Sequence, residues 1–268
     1  MTAEPGAAIE LAAVPNLRDV GGWATADGAT VRRGQVFRST ELSKLDGDDE
    51  AAFTGLGIRR AYDLRTASER ETQPDRLPDG VELVVCDVLA DHPGASAARM
   101  ADVLADPSAL VELLAGSDIP SLFADVYRGF LTLPSAVDSY RDLFTGLADA
   151  AHRPALYHCT TGKDRTGWAT AALLLLLGVG RDDVMAEYLL TNAQLLPALQ
   201  PTMDRFADAG GDPGILEPLL GVRPEYLQAS LDELDERHGG SIEAYFTDAL
   251  DLGPDVQTSL RDALLDDA

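Results

Sequence analysis

Tyr157-His-Cys-Thr-Thr-Gly-Lys-Asp-Arg-Thr-Gly167 follows directly on the short apolar run Ala155–His158 and leads into the apolar stretch Trp168–Leu177. It therefore reads as a tight loop joining a buried strand to a buried helix. Five residues separate Cys159 from Arg165. A loop of that length entering a helix turns its backbone N–H groups inward, and the helix dipole reinforces the positive field they create. Thr160, Thr161, Gly162, Lys163 and Asp164 then line a nest for a phosphate dianion. Arg165 can grip two of its oxygens and hold the phosphorus in line with the Cys159 sulfur. The same amides and guanidinium favour the thiolate, and reactive cysteines in such settings have pKa values of roughly 3.5–7.5. His158 is placed to fix the loop backbone and the Thr166 hydroxyl to donate to the sulfur, while Gly162 suits a positive φ or a crowded position.

Outward from this loop, Arg60-Ala-Tyr-Asp-Leu64 and Val81–Cys86 are short apolar runs bounded by turn residues and read as further buried strands. Thr30–Arg33 and Gln35–Arg38, on either side of Gly34, read as a hairpin. From about residue 90 to about residue 150 the pattern is helical, at Ala97–Leu104, Ser108–Leu114, Leu122–Leu131 and Ala136–Leu147, with breaks at Pro107, Pro120 and Pro134. So long an insertion is suited to covering a site. From Arg165 onward the pattern is helical again. Strands alternating with helices predict an α/β layer fold. Without a repeat or a linker-like segment, residues 1–268 read as one domain with a loose tail at 1–12.

Lys+Arg 21 against Asp+Glu 45 gives a net charge of −24, a field that repels nucleic acid and anionic membrane surfaces. Neither is expected as a stable partner. Two cysteines and four histidines suffice neither for a disulfide framework nor for a Cys-rich zinc site, so no metal or cofactor is expected. The N-terminus shows no basic segment followed by an apolar one, and the greasiest run, Ala171–Leu177, falls short of the ~20 residues of a membrane span. A reducing, cytoplasmic setting is the expectation.

His158-Cys-Thr-Thr-Gly-Lys-Asp-Arg-Thr-Gly167 resembles the signature loop of the protein tyrosine phosphatase superfamily, in particular the bacterial branch that includes the secreted mycobacterial tyrosine/lipid phosphatases. Asn16–Gly22, Phe37–Ser43, Asp63-Leu-Arg65 with Glu69, Glu187–Asn192 and Gly221–Leu227 resemble that branch's other segments in the same order. The resemblance implies a metal-free phosphomonoesterase acting through a phosphocysteine. It also implies a mostly parallel central sheet flanked by helices, with a helical lid, and a phosphate-binding loop at 159–165. A general acid is then required. Asp87, directly after the strand Val81–Cys86, is the first candidate, Asp91 the second and Asp164 the third. Asp164 matches the branch's Lys-Asp-Arg signature, where the resemblance suggests a role at the phosphate or the thiolate.

Lys163 is one of only two lysines in the chain, which suggests a wanted compact charge near the substrate. Arg18, Asp19, Arg38 and Arg65 are expected to brace the loop, and Tyr188 and Asn192 to pack and cap a helix. Cys86, at a strand end near the loop, is a candidate for a protective disulfide with Cys159. Sulfur transfer and non-catalytic phosphate binding are the rival functions. His158 and the Arg165-Thr166 pair favour phosphoryl transfer over the first, and the presence of both nucleophile and arginine weighs against the second. Phosphotyrosine, phosphoinositides and small metabolite phosphates all suit the loop.

Overall fold

In the computed structural model, which describes residues 4–92, 119–208 and 211–266, the run ahead of the signature loop is the fully buried strand β6 (Ala155–His158). Four other strands join it: β1 (Arg18–Asp19), β3 (Val36–Ser39), β4 (Arg60–Asp63) and β5 (Glu82–Val85). β2 (Thr30–Val31) lies outside this sheet. The order is β1-β3-β6-β4-β5, parallel throughout except for β1 against β3. Tyr157 belongs to the main apolar core and Leu156 to a second cluster that includes Leu17, Phe37 and Phe53, so the central strand is buried on both faces.

Among the described residues, the helices of six residues or more are, in chain order, α1 (Gly47–Thr54), α2 (Ala67–Thr72), α3 (Ile119–Thr132), α4 (Pro134–Ala148), α5 (Asp164–Leu176), α6 (Arg181–Asp208), α7 (Pro213–Leu220), α8 (Pro224–His238) and α9 (Pro254–Leu264). Beyond its polar first turn α5 is almost wholly apolar and nearly every residue in it is buried, as expected of a helix enclosed on all sides. α3 packs along α8 and touches α5. The register sets Asp63 opposite both His158 and Val85, so Leu64, Cys86 and Cys159 leave the sheet together at its carboxyl edge. In open α/β sheets that edge is where ligands bind.

The predicted strands at 60–64, 81–86 and 155–158 are present, and the patterns Leu122–Leu131 and Ala136–Leu147 fall within α3 and α4. The helical patterns Ala97–Leu104 and Ser108–Leu114 lie outside the described residues. Three expectations need correction. The hairpin does not form: β2 pairs with β7 (Leu265–Asp266), while β3 pairs with β1 and β6. Gly34, at φ +70°, is the turn separating the two sheets, and the Asp19 carboxylate binds its amide and that of Gly21. β5 is an edge strand, with Leu83 and Val85 exposed, because nothing among the described residues pairs with its outer side. Residues 4–12 are not loose: Ala8 bridges Arg18, the Ile9 amide donates to the Leu17 carbonyl, and Leu11 is buried in the second core. Alternating apolar residues there give the segment a face to bury. No described helix is long and apolar enough to cross a membrane.

Candidate active site

Cys159 is buried at the carboxyl end of β6, with the loop wrapping around it into α5. Burial alone would push its thiol up. The Arg165 guanidinium and the Thr166 hydroxyl and amide override that effect, so the thiol lies below its ordinary value. The buried Thr166 hydroxyl, otherwise without a partner, faces the sulfur. Gly162 satisfies both reasons for a glycine: its φ is +64°, and a Cβ would stand 2.2 Å from the Ser39 carbonyl oxygen. Thr160 and Thr161 are half-buried at the loop's rim.

Arg165 is held by Glu69. Its Nη1 donates to Oε2 and its Nη2 to Oε1, both at 2.7 Å, and Nη1 also reaches the Leu64 carbonyl. A guanidinium has five N–H donors. Glu69 and Leu64 therefore leave the edge formed by Nε and the second Nη2 hydrogen available to two oxygens of one phosphate. Glu69 also completes the capping box of α2 with Thr66 and accepts from the Thr160 hydroxyl. Burial pushes its carboxyl up, but the Arg165 hydrogen bonds prevail and hold it down at about 2. This positioning residue was not assigned a role from the sequence. Its local sign was Thr66-x-x-Glu69, which marks a helix start and gives no hint that Arg165 lies beside it.

Of the four residues expected to brace the loop, Asp19 does not reach it and instead holds the Gly21 and Gly34 amides, while Arg38 meets it directly and Arg18 joins Arg38 through Glu187. Arg38 donates to the Gly162 carbonyl at 2.6 Å and to Glu187, whose other oxygen takes Arg18 at 2.7 Å. The Asn16 side-chain amide donates to the Thr161 and Gly162 carbonyls. Arg65 bridges Asp63 and Asp75, each at 2.7 Å. His158, fully buried, has Nδ1 3.3 Å from the Cys159 carbonyl and Nε2 3.2 Å from Asp75. Burial pulls its pKa down, and the Asp75 and Asp63 carboxylates outweigh that and raise it. Asp63, Asp75 and His158 bring three potential metal ligands within 4.8 Å of one another. With the Arg65 guanidinium already bridging both carboxylates, that set is charge-compensated and a poor fit for a cation.

The three acid candidates occupy different places. Asp87 accepts the Ala67 amide at the start of α2 and the Leu89 amide, and faces Arg70 at 3.8 Å. Asp91 caps α4, accepting the Ser135 amide at 2.8 Å. Asp164 is the first residue of α5, where the loop ends, and its charge acts on the Cys159 thiol. Its Oδ1 accepts from Tyr127 at 2.9 Å, and Tyr127 in turn meets Tyr188 at 2.5 Å. The Lys163 ammonium is buried, donating to the Leu219 and Gly221 carbonyls, 3.2 Å from Asp164 and 4.6 Å from the Phe123 ring centre. Asn192 bonds both polar groups of Val222 and so joins α6 to the turn before α8.

Cys86 and Cys159 are both free. They flank Leu64 from strands on either side of β4, two strand spacings or about 9.6 Å apart. That exceeds the span of about 7 Å that a disulfide bridges without backbone movement, so the protective crosslink is not built into this fold. Burial moreover pushes the Cys86 thiol up to about 12.

The profile of the tyrosine phosphatase family matches residues 9–266 of the chain. A Cupriavidus necator protein provisionally named a tyrosine-protein phosphatase is 33% identical over 241 residues, 89% of this chain and 82% of that protein. The triple specificity protein phosphatase PtpB of Mycobacterium tuberculosis is 33% identical over 265 residues, 90% of this chain and 93% of its own. A tyrosine-protein phosphatase of Nostoc commune is 28% identical over 188 residues, 70% of this chain and 57% of that one.

Proposed function

The chain belongs to the tyrosine phosphatase family and is a cysteine-dependent phosphatase, and from that premise we propose that Cys159 is the nucleophile, Arg165 the phosphate clamp and Asp164 the proton donor and acceptor. In the first step the Cys159 sulfur forms a bond to phosphorus, the ester P–O bond breaks, and the leaving oxygen takes a proton from Asp164. In the second, water attacks phosphorus, its proton passes to Asp164, and the S–P bond breaks to release phosphate. The Thr166 hydroxyl stabilises the departing thiolate. Amides of residues 160–165 and the open edge of Arg165 hold the three equatorial oxygens throughout.

The observation that carries this reading is the pairing of Arg165 with Glu69, which aims the unused Nε/Nη2 edge while the guanidinium charge depresses the Cys159 thiol. Asp164 is preferred over Asp87 because its charge reaches the sulfur, whereas Asp87 is held at the start of α2 beside Arg70 and has no such influence on Cys159. Residues 1–268 act as one phosphatase domain in this reading, supported by the family match across 9–266.

Family membership implies phosphorylated substrates. A phosphotyrosine or another compact monoester is the proposed class. Carbonyls and Asp164 already engage Lys163, which supports a site built for one phosphate. Turnover of p-nitrophenyl phosphate in EDTA tests the assignment. We expect full activity in chelator and loss of all but a few percent in Cys159→Ser, since a serine hydroxyl lacks a base here. Activity that disappears with EDTA, or survives in Cys159→Ser, would contradict it.

A further inference from the structure

Tyr127 is fully buried on α3 among Phe130, Tyr188 and Tyr226, where a phenylalanine would pack as well. Its hydroxyl is nevertheless aimed at the one loop side chain that carries the proton. It lies 2.9 Å from Asp164 Oδ1, and the Tyr188 hydroxyl, 2.5 Å away on α6, fixes its rotation. Burial, the neighbouring Asp164 charge and the shared hydrogen bonds all push the Tyr127 phenol well above its ordinary value, so it stays a neutral donor. A second contact comes from the same helix: Phe123 sits over the Lys163 ammonium. Thus α3, four residues apart on one face, engages both side chains of the Lys163-Asp164 pair.

The geometry points to Tyr127 as a positioning residue for the proton-transferring carboxyl, with Tyr188 as its support. The inference rests on the assignment of Asp164 as acid and base. By holding Oδ1, Tyr127 fixes the rotamer of Asp164 and leaves Oδ2, beside Lys163, as the oxygen that exchanges the proton with the leaving group and then with water. Around Asp164 the charged and titratable groups are Lys163, Arg165 and Cys159 from the loop and α5, with Tyr127 from α3, Tyr140 from α4, Tyr188 from α6 and Tyr226 from α8. All of these tyrosines are pushed above their ordinary pKa, foremost by burial, so they act as neutral dipoles.

The test is the leaving-group dependence of three variants of the full-length enzyme, Tyr127→Phe, Tyr188→Phe and Asp164→Asn. Phenyl phosphate, whose leaving group needs a proton, is compared with p-nitrophenyl phosphate, whose leaving group does not. For Tyr127→Phe we expect kcat on phenyl phosphate to fall about tenfold and on p-nitrophenyl phosphate less than about threefold, with KM little changed. Tyr188→Phe should show the same pattern more weakly. If Asp164→Asn shows the leaving-group dependence and Tyr127→Phe slows both substrates equally, the tyrosine is merely structural and the inference is overturned. If Asp164→Asn shows no such dependence, the acid assignment itself falls, and the role of Tyr127 with it.

Discussion

Cys159 is chemically defined by what opposes its burial. A thiol this deep would be inert without the Arg165 charge and the Thr166 donors, and Arg165 is in turn aimed by Glu69. Arg165→Lys should therefore lose most activity although the charge is kept, because the planar fork is gone; equal kcat/KM would refute bidentate binding. Glu69→Gln should lower kcat/KM about tenfold or more by weakening a charge-assisted pair. The same pair stabilises the fold wherever Glu69 is ionised. With its carboxyl held at about 2 against an ordinary 4.5, that contribution is complete above pH 4.5 and is lost as pH falls toward 2. Denaturation midpoints followed through that window should fall more steeply in the wild type than in Glu69→Gln, and parallel curves would contradict the assignment. The loop was legible in the sequence because its residues act at fixed local offsets. The role of Glu69 was not, because it meets its partner across 96 positions of chain, and neither the resemblance that marks it nor its helix-cap spacing shows that Arg165 lies beside it.

At the scale of elements, parallel strand order decides what stands beside the loop. β4 separates β5 from β6, so Cys86 and Cys159 emerge two strands apart. Peptide mapping after mild peroxide should find oxidised Cys159 without a Cys86–Cys159 crosslink; a crosslink formed in high yield would show that the strand ends move freely. β4, β5 and β6 were readable as apolar runs, whereas the exposure of β5 was not, since an edge strand and a buried one share the same composition of Val and Leu. The supposed hairpin failed for a related reason. Strands of two to four residues carry too little pattern to reveal their partners, and β2 finds its own near the C-terminus.

Over the whole molecule, a net charge of −24 sets the conditions under which substrate arrives. Each basic residue near an anionic bilayer contributes about 1 kcal/mol, and acidic residues oppose it. Residues 181–268 alone carry 19 acids against five arginines. Phosphoinositides in anionic vesicles should accordingly be hydrolysed at least about tenfold more slowly than soluble short-chain analogues, a penalty of about 1.4 kcal/mol. Comparable kcat/KM on both forms at low ionic strength would mean that the active-site face is locally basic despite the overall charge.

The central claim is that phosphate passes through the Cys159 sulfur, and it is tested most directly by acid-quenching the enzyme during turnover of p-nitrophenyl phosphate and locating the phosphoryl group by peptide mass spectrometry. The account predicts one phosphoryl group on the peptide containing Cys159, at the sulfur, and none in Cys159→Ser. A phosphoryl group found on His158, or on any other residue while turnover proceeds, would contradict it.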